Sequence, residues 1–591
     1  MTLIVALTRC GDSHERSEHV EQRTPDPTPA ELGDSGPTMA DAGDGGDGGA
    51  SIVPKPIEEP FVDPYPRNYA DPTLTKRVVE GELALVGSGM SACTNQLPAP
   101  GDRWCAFSRA TDDGATELWV VNVSQARENA PVACDGSEQE CLRLTSQLWT
   151  GSQLYGPMHP YTHRFEGDTL IFHADAPSEL REPYEGPIYA WRPGWEAARQ
   201  VSELGVACTG HRLSAAIYCI DAADVDVAPL DEFLPPIWHS FDLLAGMLDV
   251  EADGPLSLVE RIAVHDADLD SFRMRFTRSG NRLVYSSVPE GAERQTLRWL
   301  ALDSPSPFEP GTVLEDAAQW ELAHDDAAAY VLRGYSRESG VGTLALVDFP
   351  AAETVQQVAS YVFHIDPVGA LDDLLSTEDR GFGYDRSSPD GEVFEFIADR
   401  TKLDEVQTVA VDTAGLRVSA DARYTLFFQK NDNGWPVATV GRNDGSGSCA
   451  LNNDLLAETY SGKFSADGQR ALWIEYGQSG SEEGWAADPS TCGEKAKFGD
   501  WVLGYTISGD FLVFEGGDAE DSTSYLNYTR LPRAATSPPV IPLIIVEGPK
   551  YPFVTLPDGD ATYVVYTAPN DESDSQGLFV HGPLEEGLPA E

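Results

Sequence analysis

The chain has 591 residues, 96 acidic and 40 basic, for a formal net charge of −56, and 41% of it is hydrophobic. The apolar residues come in short bursts, and none approaches the ~18 residues of a membrane span. So acidic a surface repels phosphate backbones, which excludes nucleic acid as a partner, and it favours a soluble monomer.

The chain opens MTLIVALTRCGDS, an apolar stretch from Leu3 to Leu7 running into Cys10, Gly11 and Asp12. This resembles the end of a bacterial lipoprotein signal, in which the cysteine is lipidated and becomes the mature N-terminus. The resemblance implies a signal and anchor over 1–10, lipidation at Cys10, and an exported protein that meets the membrane only through that tether. Residues 11–78 are dominated by Asp, Glu, Pro, Gly, Ser and Thr. Such a stretch buries too little apolar surface to offset chain entropy, so it is expected to be a disordered acidic tether. Within it, DAGDGGDGGA at 41–50 has the composition of a flexible spacer.

From residue 79 the pattern becomes β: short segments of alternating polarity bounded by turns. The first unit is GDRWCAFSRA (101–110), TDDGATELWVVNV (111–123) and ECLRLTS (140–146). The second repeats the order with GDTLIFHAD (167–175), GPIYAWRP (186–193) and ARQVSE (198–203). The stretch 221–275 breaks the rhythm, and its FDLLAGML (241–248) is predicted to be a short helix. Strand pairs then resume at 281–303, 327–349, 422–443, 469–476, 511–531 and 561–582.

A phrase of Ser, Asp and Gly followed by aromatic and aliphatic residues returns at SSPDGEVFEFIAD (387–399), FSADGQRALWIEY (464–476), TRSGNRLVYSS (277–287) and TISGDFLVFEG (506–516). Ser388, Pro389, Asp390 and Gly391 carry the full turn; Ser465, Asp467 and Gly468 carry it with Ala in the Pro position; Pro557, Asp558 and Gly559 carry its last three places. These units resemble the WD40-like propeller repeats of the TolB type. Asp-Gly turns allow the positive φ that tight hairpins need. A thin four-stranded blade buries both faces only by packing on neighbours around an axis. The expected fold is therefore an all-β propeller over 79–591, a single ring of seven or eight four-stranded blades, with two smaller rings as the alternative.

Setting Cys10 aside, the cysteines fall into sequence neighbours: Cys93 with Cys105, Cys134 with Cys141, Cys208 with Cys219, and Cys449 with Cys492. Proximity makes these four disulfide candidates, and sequence alone leaves other pairings and free thiols open.

Local catalytic motifs are missing. A propeller with this repeat often precedes an α/β-hydrolase domain, but the chain has no G-x-S-x-G elbow. GSGMS at 87–91 lacks the frame of a phosphate or dinucleotide loop. His159, His163 and His173 lie close enough in sequence to be weak metal candidates. Asp266, Asp268 and Asp270, or Asp518, Glu520 and Asp521, offer oxygen ligands to Ca²⁺, but in a chain this acidic solvated loops are the better account of them. No cofactor is expected. Trp119, Trp191, Trp299 and Trp473 sit at alternating strand positions and belong in the core, whereas Trp238, Trp435 and Trp485 lie in or near loops that could form a recognition face.

The TolB resemblance implies a non-catalytic, envelope-associated platform for a protein, peptide or glycan, in the periplasm or on the outer membrane. A hydrolase or lyase with its site in the central channel is the rival reading. A structural surface component is the third.

Overall fold

The computed structural model describes residues 72–79, 90–93 and most of 103–587. The leader through residue 71 and the longer connections, among them 149–162, 175–185, 223–237, 266–273, 368–380 and 533–539, lie outside the described residues. Cys10, His159, Asp266, Asp268, Asp270, Ser388–Gly391, Trp435, Glu520, Asp521 and Gly559 fall there too.

Among the described residues the strands form six four-stranded and two seven-stranded antiparallel sheets, each built from strands consecutive in the chain save at the closure. The exception is Thr75–Arg77, which pairs with Ser573–His581, so the N-terminal strand completes the C-terminal sheet. Thr75 Oγ1 meets His581 Nδ1 at 2.8 Å and secures that closure. These three residues lie inside the stretch that composition assigns to the tether; they join the ring because the last blade lacks a fourth strand of its own.

Each seven-stranded sheet runs through two successive blades by way of one long strand. Arg199–Gly210 pairs with Gly186–Trp191 through its first half and with Ala216–Ala222 through its second, changing partner at Gly205. Val355–Pro367 does the same, changing partner at Val362. The ring therefore holds more blades than the seven or eight expected, because an unbroken strand hides a blade boundary.

The core lies in the seams between blades. Trp104, Leu118 and Val120 of the 90–145 sheet pack with Leu170, Phe172 and Trp191 of the next. Ile217 and Cys219 pack on Ile171 and Ile188 across the bend of the long strand. Val284 and Leu297 meet Trp320 and Val347, and Leu426 and Val440 meet Trp473. Val565, Leu578 and Val580 pack against Cys105, Phe107 and Val121, which closes the circle as one ring. All the described residues belong to one compact unit. Trp191, Trp320 and Trp473 are among the largest fully enclosed side chains.

The helix expected at FDLLAGML is absent. Residues 241–247 lie in the strand Trp238–Met247, with Phe241, Leu243 and Ala245 buried and the residues between them half-exposed. That alternation has the period of a strand, and pairing on both sides outweighs the local helix preference of Leu and Ala.

Candidate functional site

The ring has two unlike ends. The turns between the first and second strands of the blades lie at one, the turn end. The crossovers from one blade to the next lie at the other, the crossover end.

At the turn end the repeat phrase closes on itself. Ser465 Oγ donates to Asp467 Oδ1 at 2.6 Å and accepts from Arg470 N at 2.9 Å, while Asp467 Oδ1 also accepts from Gln469 N at 3.0 Å. Ser419 and Asp421 make the same bonds with Tyr424 and Arg423. Successive turns also hold each other. A Cβ at Gly280 would stand 2.4 Å from His211 Nδ1 of the preceding turn, and Gly280 has φ +69°. At the matching place in the following turn Asp326 takes φ 55°, and its carboxylate accepts from Arg278 N at 2.7 Å. Burial pushes the Asp326 carboxyl above its ordinary value.

The first strands of the blades line the axis of a propeller. Arg275, Glu321, Arg417 and Lys463 occupy one register position on four of them, opposite Val284, Tyr330, Leu426 and Leu472. The neighbouring blades draw on this charge. Arg275 Nη2 donates to Glu321 Oε1 at 3.1 Å, with Glu321 3% exposed. Lys463 Nζ donates to Tyr505 O at 3.0 Å and lies 4.3 Å from the Tyr505 ring centroid.

Further out, Glu260 accepts from both Tyr285 and Arg298 across another seam. Burial, and then the Glu260 charge, push the Tyr285 hydroxyl well above the usual phenol range. Trp119 Nε1 donates to Glu117 Oε2 and Trp473 Nε1 to Glu475 Oε2, each at 2.9 Å, so one device recurs on two blades.

The crossover end differs. Seven large hydrophobic side chains are exposed among the described residues, and the three aromatic ones, Tyr361, Tyr476 and Trp501, all lie here with Leu503. Tyr361, inside the shared strand Val355–Pro367 where it changes partner, and Trp501, in a crossover, have φ 64° and 52°. A bulky residue in that region is rare and costs roughly 1–3 kcal/mol. The other three, Leu258, Val355 and Val540, are aliphatic and lie at the turn end.

The histidine candidates do not converge. His163 stands opposite Phe172 in the ladder, so His163 and His173, the residue next to Phe172, point to opposite faces of their blade. Burial lowers them to about 3 and about 4. Among the described residues no group of His, Cys, Asp or Glu is placed to hold a metal ion. Trp485 lies in the strand Glu482–Ala487 opposite Trp473, with Lys495 and Lys497 over its ring. Trp238 opens its strand at the crossover end.

The eight propeller cysteines are joined as Cys93–Cys105, Cys134–Cys141, Cys208–Cys219 and Cys449–Cys492. The first and third link residues directly opposite on adjacent strands. The fourth ties the 413–450 blade to the 459–500 blade.

Sheet order, seam packing and closure define an all-β propeller of four-stranded blades. No family model matches the chain, and no curated protein matches it. Solved structures with similar folds include a eukaryotic initiation factor, 8% identical over 75% of this chain and 96% of that one, with a TM-score of 0.45. An oligogalacturonate lyase in complex with manganese is 14% identical over 60% of this chain and 97% of that one, with a TM-score of 0.31. TolB from Acinetobacter baumannii is 16% identical over 49% of this chain and 74% of that one, with a TM-score of 0.24. At these identities and TM-scores the likenesses decide nothing about this chain; its propeller is read from its own sheet order and seams.

Proposed function

We propose that this propeller is an exported, non-catalytic binding platform, held to a bacterial envelope through a lipidated Cys10 and offering its crossover end to a partner protein. The observation that carries the reading is the gathering at one end of the ring of the three exposed aromatics among the described residues, Tyr361, Tyr476 and Trp501. Scattered exposed hydrophobics are ordinary, whereas aromatics are enriched where proteins dock. The rival reading, an enzyme with its site in the channel, needs polar groups aimed at a substrate. Arg275, Glu321 and Lys463 instead join neighbouring first strands to each other. The four disulfides favour an oxidising compartment. No helix among the described residues is long and apolar enough to cross a membrane.

Photo-crosslinking in living cells tests the platform. A benzophenone side chain at position 361 or 503 is expected to give a discrete protein adduct, and one at 258 or 355 none. Adducts confined to 258 and 355, or none at any position, would refute the reading. Fractionation tests the tether: Cys10→Ala is expected to leave the membrane fraction, and unchanged partition contradicts lipidation.

A further inference from the structure

We propose that the partner enters at the mouth of one seam, between the 459–500 and 504–546 blades, and presents there a cationic side chain beside an apolar one; this rests on the platform reading above. The mouth is built by backbone. Val502 N donates to Glu482 O at 2.9 Å and Leu503 N to Glu515 O at 3.0 Å, so the crossover is tied to both blades. Val502 fills the seam at 0% exposure, while Trp501 and Leu503 on either side of it stand 37% and 50% exposed. Tyr476, 39% exposed, is the ladder partner of Glu482, so both side chains stand on the face turned to the next blade. The crossover lies tight on its neighbour: a Cβ at Gly516 would come within 2.9 Å of Asp500 O. Trp501 therefore keeps its place at φ 52°, a conformation that glycine would adopt without strain.

Charge selects the occupant. Glu482 stands on the seam face of the mouth; Glu483 and Asp500, a ladder pair on the other face of the same sheet, share the single ammonium of Lys497. Glu482 Oε2 is enclosed and has no hydrogen-bond partner among the described residues. The local balance is negative in a chain already at −56. An arginine or lysine satisfies the carboxylate and lies over an aromatic face, and a neighbouring aliphatic side chain covers Leu503. A neutral sugar would use the aromatic rings but leave both the charge and the exposed Leu503 unanswered.

The test uses the full chain and a fluorescent, capped peptide of four Gly-Arg-Leu repeats, read by anisotropy. Its Gly-Glu-Leu twin is the charge control, and chitohexaose, read by calorimetry, is the sugar arm. The Arg peptide is expected to bind and its Glu twin not. Trp501→Gly and Leu503→Ser should each weaken binding at least tenfold and Glu482→Gln about fivefold, with Val355→Ser at the turn end unchanged. Melting curves on the same samples separate lost binding from lost fold. Equal affinity in all variants would assign binding to overall acidity and overturn the proposal. So would no preference over the Glu twin, or Trp501-dependent binding of chitohexaose without the peptide. Adducts at position 503 together with any of these results would leave the platform standing and sink only its proposed chemistry.

Discussion

The two ends of the ring use the same backbone differently. In the turns between first and second strands, strained positions are given to glycine, or to an aspartate that takes a hydrogen bond in return: Gly280 and Gly468 both have φ 69°, and Asp326 at 55° accepts from Arg278 N. At the crossover end Gly340 and Asp316, which accepts from Gly334 N, follow the same rule, but Tyr361 and Trp501 take that region of φ with their side chains facing solvent. The first arrangement stabilises the ring. The second costs stability, a cost that the docking proposal accounts for.

The contrast breaks down if the interior is not what holds the blades together. Trp473→Ala empties a seam at a fully enclosed side chain and is expected to cost ~3–5 kcal/mol in a denaturant melt. Glu321→Ala leaves Arg275 without its buried partner, for a loss of about 3 kcal/mol; no loss would mean that the first strands do not depend on that pair and would reopen a channel site.

Acid sharpens the picture of the interior. His163 and His173 stay neutral in the fold, lowered by burial from 6.5 to about 3 and about 4. Between pH 6.5 and those values the unfolded chain binds protons that the folded chain refuses. Their contribution is complete above pH 6.5 and falls as pH drops, by up to ~1.4 kcal/mol per pH unit for each histidine. Replacing His163 with Phe should make the pH dependence of the melting midpoint shallower over that window; an unchanged slope would show that His163 titrates normally.

The turn end yields a smaller effect. Asp326→Ala keeps a β-carbon in the left-handed region and loses the bond to Arg278 N, costing about 1 kcal/mol. Asp326→Gly loses the same bond but relieves the left-handed strain, so its loss should be smaller by about 1 kcal/mol. Equal losses would mean that the turn relaxes freely.

Much of the ring was legible in the sequence because tight turns need particular residues. SADG at 465–468 announces the hairpin that Ser465, Asp467 and Gly468 then build. The two shared strands were not legible: Arg199–Gly210 and Val355–Pro367 carry no Ser-Gly or Asp-Gly turn phrase where they change partners. FDLLAGML misleads because its apolar residues suit a helix face as well as a strand between two others. The crossover aromatics were hidden for a related reason. In Trp501-Val502-Leu503 the apolar run suggests a buried strand, and only the tertiary placement of Val502 turns its neighbours outward. Trp238, Trp435 and Trp485 drew attention as loop residues, yet Trp485 belongs to a seam.

The most direct measurement is the stability of Trp501→Gly against the wild type. If Trp501 is kept for docking, relief of its backbone should leave the denaturation midpoint unchanged or raise it by up to ~1 kcal/mol. A loss approaching that of Trp473→Ala would show that the side chain holds the blades together, and the functional contrast between the two ends would fail.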